Sequence, residues 1–197
     1  TAPGASGWTS YRGGIVEIGH DGKGFAFDNE RPRHQALVRP FELQNRLVTV
    51  GEFLAFLNDG GYERPELWLS LGWSTKNEQG WTAPLYWVER NGSWHQFTLH
   101  GLKSLRHDEP VCHVSYFEAD AFARWSGARL PTEEEWEHAA TSAGTEEQVP
   151  AAARFHPVPA TGDGRTGLSQ LQSDVWQWTA SPYTPYPGYR AAAGADR

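Results

Sequence analysis

The sequence predicts an α+β fold in which regular secondary structure is sparse. Three observations favour this class: three helix-start motifs, several short strand-like runs, and the counts Trp 10, Gly 21 and Pro 13 in 197 residues. Glycine and proline at these levels favour turns over long helices. Because 39% of the residues are apolar, the chain is still able to build a core around its large tryptophan side chains.

Three helices are predicted by the same start motif, a Thr or Ser followed three residues later by Glu. In this capping box each side chain accepts a hydrogen bond from the other residue's free backbone N–H. The boxes begin at Thr49, Ser115 and Thr132, and each one precedes apolar residues at helical spacing. Because glycine favours helix ends, the glycines that follow confine the predicted helices to 49–60, 115–127 and 132–144.

Short strands are predicted between the helices. The strand-like runs are 14–18, 35–43, 85–89 and 93–99. Asn91-Gly92 separates the last two runs, and this dipeptide is typical of a two-residue hairpin turn with positive φ. We therefore expect residues 85–99 to form a β-hairpin.

One domain over residues 1–197 is expected, because neither a linker-like composition nor an internal repeat divides the chain. The stretch 141–167 is rich in Ala, Gly and Pro and is predicted to be a long surface loop. The aromatic run 174–179 is followed by no strand-like residues with which it could pair. An unpaired aromatic edge favours aggregation, so we expect further residues beyond position 197 to cover it. The first residue, Thr1, suggests a trimmed start.

Composition excludes several classes of protein. The 17 basic and 24 acidic residues give a net charge of −7, which is unsuited to binding nucleic-acid phosphates. No apolar run approaches the roughly 20 residues of a membrane-spanning helix. The single cysteine, Cys112, excludes an intramolecular disulfide. A reducing compartment fits this composition, and we expect a cytoplasmic protein.

The sequence does not predict a metal site or a nucleophile. No two of the eight histidines lie four apart on a predicted helix, so none of these helices presents a pair of imidazoles on one face. Cys112 precedes His113, but adjacent residues of an extended stretch point to opposite faces. A buried, inert thiol is favoured over a thiolate–imidazole pair. The glutamates within 133–137 are interpreted as a solvated helix N-terminus, where acidic residues are stabilised.

The candidate binding residues lie near the end of the chain. Tyr183, Tyr189 and Arg190 belong to a Pro-stiffened, aromatic loop. Tyrosine hydroxyls and a guanidinium are suited to a small zwitterion such as an amino acid, whose carboxylate would accept two hydrogen bonds from arginine. The alternative is that this loop packs on the core and binds nothing.

Several segments resemble one enzyme family. They are Ile18 to Glu30, Arg46 to Thr49, Asp59 to Tyr62, Leu67 to Ser70, Glu109 to Ala121, Ala128 to Glu137, and Asp174 to Thr179. Together they resemble the C-terminal domain of the hercynine oxygenases, the sulfoxide synthases of ergothioneine biosynthesis. The last two segments also resemble hallmarks of the wider formylglycine-generating-enzyme and sulfatase-modifying-factor superfamily.

The resemblance implies a variant C-type-lectin-like fold. It also implies iron(II)- and O₂-dependent C–S bond formation, in which cysteine or γ-glutamylcysteine is joined to hercynine as a sulfoxide. In that family three histidines of an N-terminal DinB-like domain hold the iron, and that domain is absent from this chain. The chain's own residues are therefore expected to hold no metal. Its part is to form pocket walls near Tyr183, Tyr189 and Arg190, and alone it is expected to be inactive.

The sequence departs from the family pattern in two respects. The closing Arg-Gly-Gly-Ser segment would follow position 197, so the domain is expected to be incomplete at its C-terminus. Gln177 stands where the family often has Glu, which puts any ion bound by that segment in doubt. An alternative interpretation is a non-catalytic ligand-binding scaffold of the same fold, such as the variable proteins of diversity-generating retroelements.

Overall fold

The computed structural model describes residues 6–144, 155–160, 167–172 and 174–191. The chain divides into two compact units. Unit 1 comprises residues 6–9, 44–130 and the described part of 145–178, and unit 2 comprises residues 10–43, 131–144 and 179–191. The prediction of a single domain over residues 1–197 stays a prediction.

The described residues form four α-helices and seven β-strands, which confirms the α+β class. The helices are α1 (Val50–Asn58), α2 (Ser70–Gln79), α3 (Tyr116–Trp125) and α4 (Glu133–Ser142). The strands are β1 (Trp8–Tyr11), β2 (Gly14–Ile18), β3 (His34–Val38), β4 (Phe41–Gln44), β5 (Trp87–Arg90), β6 (Ser93–Thr98) and β7 (Gly101–Ser104). Short 3-10 turns cover Asp28–Glu30, Gly61–Glu63 and Pro65–Leu67.

The three predicted capping boxes are confirmed, and each helix begins directly after its box. At α1 the Thr49 hydroxyl accepts a hydrogen bond from the Glu52 N–H, and the Glu52 carboxylate accepts one from the Thr49 N–H. The same reciprocal pair occurs at the starts of α3 and α4. Arg46 adds a two-pronged ion pair to Glu52, with both N···O distances 2.9 Å, which fixes this carboxylate further.

The predicted hairpin is confirmed, and a third strand extends it. β5 pairs antiparallel with β6, and β6 pairs antiparallel with β7. The connecting residues Asn91 (φ 51°) and Gly92 (φ 74°) both adopt the left-handed conformation that such a turn requires. The other two sheets have two strands each and pair β1 with β4 and β2 with β3.

Some elements differ from the sequence-based prediction. The run 35–43 is not one strand: it divides at Arg39-Pro40 into β3 and β4, because proline has no N–H to donate within a sheet. Residues 174–179 form no strand. The Gln177 amide instead donates to the Leu171 carbonyl at 2.8 Å.

The prediction of a loop over 141–167 is tested only in part. α4 extends through Ser142, so the first two residues are helical. Residues 155–160 contain neither helix nor strand. Residues 145–154 and 161–166 lie outside the described residues. No helix in the described ranges is both long and apolar enough to cross a membrane.

Unit 1 has an aromatic core built mainly by α1 and α3. Phe53 stacks on Phe122 with ring centroids 5.5 Å apart, and Phe56 contacts Phe122 edge-to-face at 5.9 Å. Trp87 reaches Phe53 from the hairpin at 6.2 Å. These offset and edge-to-face arrangements are those preferred by aromatic quadrupoles, and they let large rings fill a core that has few long elements.

α2 was not predicted, and its packing explains why. The helix has a polar sequence, and Gly72 is its one buried residue. A Cβ atom at Gly72 would lie 2.6 Å from the Phe117 ring. The helix is thus placed by the close approach of its backbone to α3, a contact that leaves no apolar pattern in the local sequence.

A buried carboxylate links α3 to the 3-10 turn Gly61–Glu63. The Tyr62 hydroxyl donates to Glu118 Oε1, and Tyr62 and Glu118 are only 5% and 4% exposed. Burial raises the pKa of Glu118, while the hydrogen bonds from Tyr62 and Ser115 act in the opposite direction. The tyrosine therefore stabilises the charged form of a buried acid.

Unit 2 has a smaller core between α4 and the β2–β3 sheet. Ile18 and Val38 from the sheet are buried, as are Ala139 and Ala140 from the helix. The small alanines allow the close packing of α4 on the sheet. This packing fixes the N-terminal turn of α4 beside the loop that follows β2.

We expect Tyr62→Phe to lower the free energy of unfolding by about 1–3 kcal/mol at pH 7, because a buried carboxylate loses its donor. The variant raises the pKa of Glu118 further, so the loss shrinks as the pH falls through that pKa and Glu118 is protonated in the folded state. Urea unfolding of the complete protein at pH 7 and pH 5 measures both effects.

Tyr116→Phe is the matched control for this substitution. It removes a hydroxyl from α3 that has no hydrogen-bond partner among the described residues. Its effect should be under about 0.5 kcal/mol at both pH values. Equal losses in the two variants would contradict the stabilising role of Tyr62.

We expect Gly72→Ala to destabilise the protein by about 1–3 kcal/mol, because the new methyl group collides with the Phe117 ring. Helix propensity alone predicts the opposite sign, since alanine favours helices by about 1 kcal/mol over glycine. Asn77→Ala, at an exposed position of the same helix, is the control and should be neutral or stabilising. Thermal unfolding of both variants measures the difference, and a stabilised Gly72→Ala would refute the close contact.

Candidate functional site

The candidate site is built from residues 181–190, called here the aromatic segment, which lies against the start of α4. The Ala180 N–H donates to the Pro131 carbonyl at 2.7 Å. The Ser181 hydroxyl accepts from the Glu133 N–H at 2.9 Å. This N–H belongs to the first helical turn, where backbone donors lack partners within the helix. The segment is therefore anchored to α4 by a backbone donor that the helix itself leaves free.

Tyr183 and Tyr189, two of the predicted binding residues, form hydrogen bonds with adjacent side chains of one short turn. The Tyr189 hydroxyl donates to Asp28 Oδ2 at 2.8 Å, and the Asn29 amide donates to the Tyr183 hydroxyl at 3.0 Å. Asp28 and Asn29 begin the 3-10 turn that ends the 18–30 segment of the family resemblance. The fold therefore brings together residues more than 150 positions apart in the chain.

The third tyrosine of the segment, Tyr186, binds two carboxylates of α4. Its hydroxyl donates to Glu133 Oε1 at 3.1 Å and lies 3.4 Å from Glu137 Oε2. Its ring packs on His34, with centroids 4.7 Å apart. Burial and the two negative charges raise the pKa of Tyr186, so its hydroxyl stays a donor at neutral pH.

Residues 19–30, called here the motif loop, are held by the same helix. The Gly19 N–H donates to Glu137 Oε1 at 2.6 Å, and the His20 N–H donates to the Glu30 carbonyl at 2.9 Å and closes the loop. Gly19 has φ 96°, and a Cβ there would lie 3.1 Å from the Glu30 carbonyl oxygen. Burial raises the pKa of Glu137, while the Gly19 N–H acts in the opposite direction.

The exposed side chains of these two segments suit a zwitterion that carries an apolar cation. Phe25 and Phe27 form an edge-to-face pair at 5.1 Å on the motif loop, and both are exposed. Tyr183 is 89% exposed. Arg190 is also exposed, and the described residues offer its guanidinium no hydrogen bond or ion pair. Aromatic faces attract quaternary ammonium groups, and a guanidinium fork suits a carboxylate.

The sequence-based interpretation of the α4 glutamates was wrong in part. Glu135 is buried, at 5% exposure, because it completes the capping box, and Glu133 and Glu137 bind Tyr186 rather than only water. Sequence reasoning also missed Asp28 and Asn29 as partners of the tyrosines. The signal available was the i,i+4 spacing of Glu133 and Glu137, which places both on one helix face; the distant partners had no local signal.

A second polar cluster lies in unit 1, around the cysteine. Glu109 is buried and accepts from His156 at 3.0 Å. Burial, with a smaller contribution from the Glu109 charge, raises the pKa of the Cys112 thiol to about 11. Cys112 is half-buried rather than buried as predicted, although this pKa agrees with the predicted inert thiol. His113 has φ 60°, so it is not extended as the sequence-based argument assumed. The described residues hold no group of three His, Cys, Asp or Glu side chains that could bind a metal ion.

The chain belongs to the FGE-sulfatase domain family. Residues 5–153 match the sulfatase-modifying factor enzyme 1-like domain family, FGE-sulfatase. Within it, the chain is 40% identical over 184 residues to the hercynine oxygenase of Mycobacterium tuberculosis, covering 83% of this chain and 43% of that protein. This similarity confirms the resemblance to the hercynine oxygenases found in the sequence.

Two other relatives show the breadth of the similarity. The hercynine oxygenase of Mycolicibacterium thermoresistibile is 39% identical over 185 residues, covering 84% of this chain and 41% of that protein. The formylglycine-generating enzyme of Streptomyces coelicolor is 29% identical over 204 residues, covering 83% of this chain and 65% of that protein. The chain thus spans less than half the length of these hercynine oxygenases.

We expect Cys112 to react slowly with iodoacetamide at pH 7.5. Only the thiolate is nucleophilic, and a pKa of about 11 makes the thiolate about 300-fold scarcer at pH 7.5 than in a free cysteine. The rate should rise about tenfold per pH unit up to about pH 10. Mass spectrometry of the alkylated protein measures it, with the urea-unfolded protein as the control. Native and unfolded protein reacting equally fast would show that the thiol is not masked.

Proposed function

We propose that this chain is the substrate-binding domain of an iron(II)- and O₂-dependent sulfoxide synthase in ergothioneine biosynthesis. The domain would adopt a variant C-type-lectin-like fold and act in the cytoplasm, without nucleic acid or membrane partners. The observation that carries the proposal is the pairing of the motif loop with the aromatic segment. The motif loop lies within a segment of the hercynine oxygenase resemblance, and it holds the tyrosines predicted to bind a zwitterion.

The proposed reaction joins hercynine to cysteine or γ-glutamylcysteine. One imidazole C–H bond and one S–H bond are lost, and a C–S bond and a sulfoxide S–O bond form. Of the two atoms of O₂, one remains on sulfur and the other leaves as water. Iron(II), when bound, supplies the O₂ chemistry, and the protein supplies positioning of the two substrates.

The described residues do not fit an iron site, since no three ligand side chains converge among them. The proposal therefore assigns the iron to histidines outside the described residues, on the DinB-like domain that the resemblance implies. The part of this chain is limited to binding and orienting substrate.

Hercynine carries its trimethylammonium and carboxylate groups on the same carbon atom. A site that combines aromatic faces with a guanidinium therefore suits one end of one molecule. In unit 2 the aromatic faces are Phe25, Phe27 and Tyr183, and the guanidinium is that of Arg190. The hydrogen bonds from Asn29 to Tyr183 and from Tyr189 to Asp28 keep the segment ordered before substrate binds, which reduces the entropy lost on binding.

Formylglycine generation is not proposed, although a formylglycine-generating enzyme is among the relatives. The resemblance implies that formylglycine-generating enzymes use cysteines of a segment that would follow position 197. The single cysteine of this chain has a pKa of about 11, which leaves almost no thiolate at neutral pH.

The test is anaerobic reconstitution of the complete protein with iron(II), hercynine and a thiol, followed by exposure to O₂. We expect a sulfoxide product, detected by mass spectrometry, with cysteine or γ-glutamylcysteine. Absence of product with every thiol, together with measurable binding of another ligand, would favour the non-catalytic scaffold. The encoded protein should also contain a His-x-x-x-His-x-Glu motif before this chain.

We expect Arg190→Lys to raise the apparent KM for hercynine about tenfold, because lysine keeps the charge but loses the two-pronged contact with a carboxylate. Arg12→Lys is the matched control, since Arg12 is also exposed and also without a partner among the described residues. Steady-state kinetics at fixed thiol concentration measures both variants. The same KM in both would remove Arg190 from the site.

A further inference from the structure

The Glu137 side chain contacts both segments of the candidate site. One of its carboxylate oxygens, Oε1, accepts from the Gly19 N–H at 2.6 Å, and the other, Oε2, lies 3.4 Å from the Tyr186 hydroxyl. Gly19 begins the motif loop, and Tyr186 is at the centre of the aromatic segment. A single side chain on a packed helix is thus in hydrogen-bond range of both.

The Glu133 and Glu137 carboxylates share one donor, the Tyr186 hydroxyl. A phenol has one hydrogen, and the shorter distance, 3.1 Å, favours Glu133 over Glu137 as its acceptor. Glu133 lies one helical turn before Glu137, so Glu133 Oε1 and Glu137 Oε2 face Tyr186 from the same side of the helix. Glu137 needs no second donor to stay in place, because its other oxygen already has the short contact to Gly19.

Besides Tyr186, two titratable side chains among the described residues act on Glu137, namely His34 and Glu133. His34, on β3, packs its ring on Tyr186 and acts on Glu137 through its charge. Glu133 is the other charged neighbour of Glu137. The Tyr183 and Tyr189 hydroxyls, in contrast, bind Asn29 and Asp28 of the exposed turn. The helix α4 is therefore the regular element to which both segments of the site are attached.

We propose that Glu137, with Glu133 and Tyr186, is the positioning unit of the site, which sets the motif loop and the aromatic segment in register for substrate. None of the three is a catalytic residue: they act through Asp28, Asn29, Tyr183 and Tyr189. The proposal deepens the function proposed above and rests on it for its consequence on catalysis, but its structural part stands on unit 2 alone.

The test compares amide hydrogen exchange in the complete protein and two variants. Glu137→Ala should increase exchange about tenfold in peptides from 19–30, because Gly19 loses its acceptor, and by less in 181–191, because Tyr186 keeps its hydrogen bond to Glu133. Tyr186→Phe should increase it about tenfold in 181–191 only, since Gly19 keeps its acceptor. The Tyr189 N–H, which donates to the Tyr186 carbonyl at 2.9 Å, is a reporter within that peptide.

Glu134→Ala is the matched control. It removes a carboxylate three residues before Glu137 on the same helix, but no hydrogen bond or ion pair joins Glu134 to either segment among the described residues. Exchange in both peptides should stay within about twofold of the unaltered protein. Rates in Glu137→Ala or Tyr186→Phe equal to those of Glu134→Ala would overturn the proposal.

Kinetics separates positioning from general stability. Tyr186→Phe should raise the apparent KM for hercynine about fivefold, with kcat within about twofold and the thermal midpoint unchanged, because the loss is local. An unchanged KM despite faster exchange would contradict the link to substrate. If the unaltered protein makes no sulfoxide, the proposed function fails, while the exchange comparison still decides the positioning unit. Should Glu137→Ala fail to fold, Tyr186→Phe decides it.

Discussion

Glutamate side chains in the first turns of short helices hold this structure together. Glu52, Glu118 and Glu135 each accept the N–H of their own cap residue. Glu52 also binds Arg46, and Glu118 also accepts from Tyr62, so each of these carboxylates joins its helix to a residue outside it. A chain with short helices and two- or three-stranded sheets has few long ladders of backbone hydrogen bonds, so charge-assisted contacts at helix starts connect its loops.

The candidate site extends the same principle. Two further acids of α4, Glu137 and Glu133, bind Gly19 and Tyr186. The proposed recognition surface is thus made of two irregular segments on a helix, which is the usual arrangement of binding loops on a scaffold. Burying part of a carboxylate is unfavourable unless donors surround it. The Gly19 N–H is such a donor for Glu137. The pKa of Glu137 is still raised, because its burial is not fully compensated.

Local features of the fold were predictable from sequence, and distant ones were not. The capping boxes at Thr49, Ser115 and Thr132 and the Asn91-Gly92 turn depend on neighbouring residues, and all are confirmed. α2 depends on a glycine that meets Phe117 across unit 1, which no local pattern reveals. In the site, Tyr183 and Tyr189 were selected for their chemistry, but Asp28 and Asn29 became visible only when the fold placed them beside those tyrosines.

The central claim is that the motif loop and the aromatic segment form one substrate-binding surface in unit 2. Hydrogen exchange of the complete protein, with and without saturating hercynine, tests it most directly. Binding at this surface should slow exchange in peptides from both 19–30 and 181–191. Exchange in the β5–β6–β7 sheet of unit 1 should stay unchanged. Protection confined to other peptides, with none in these two, would contradict the claim.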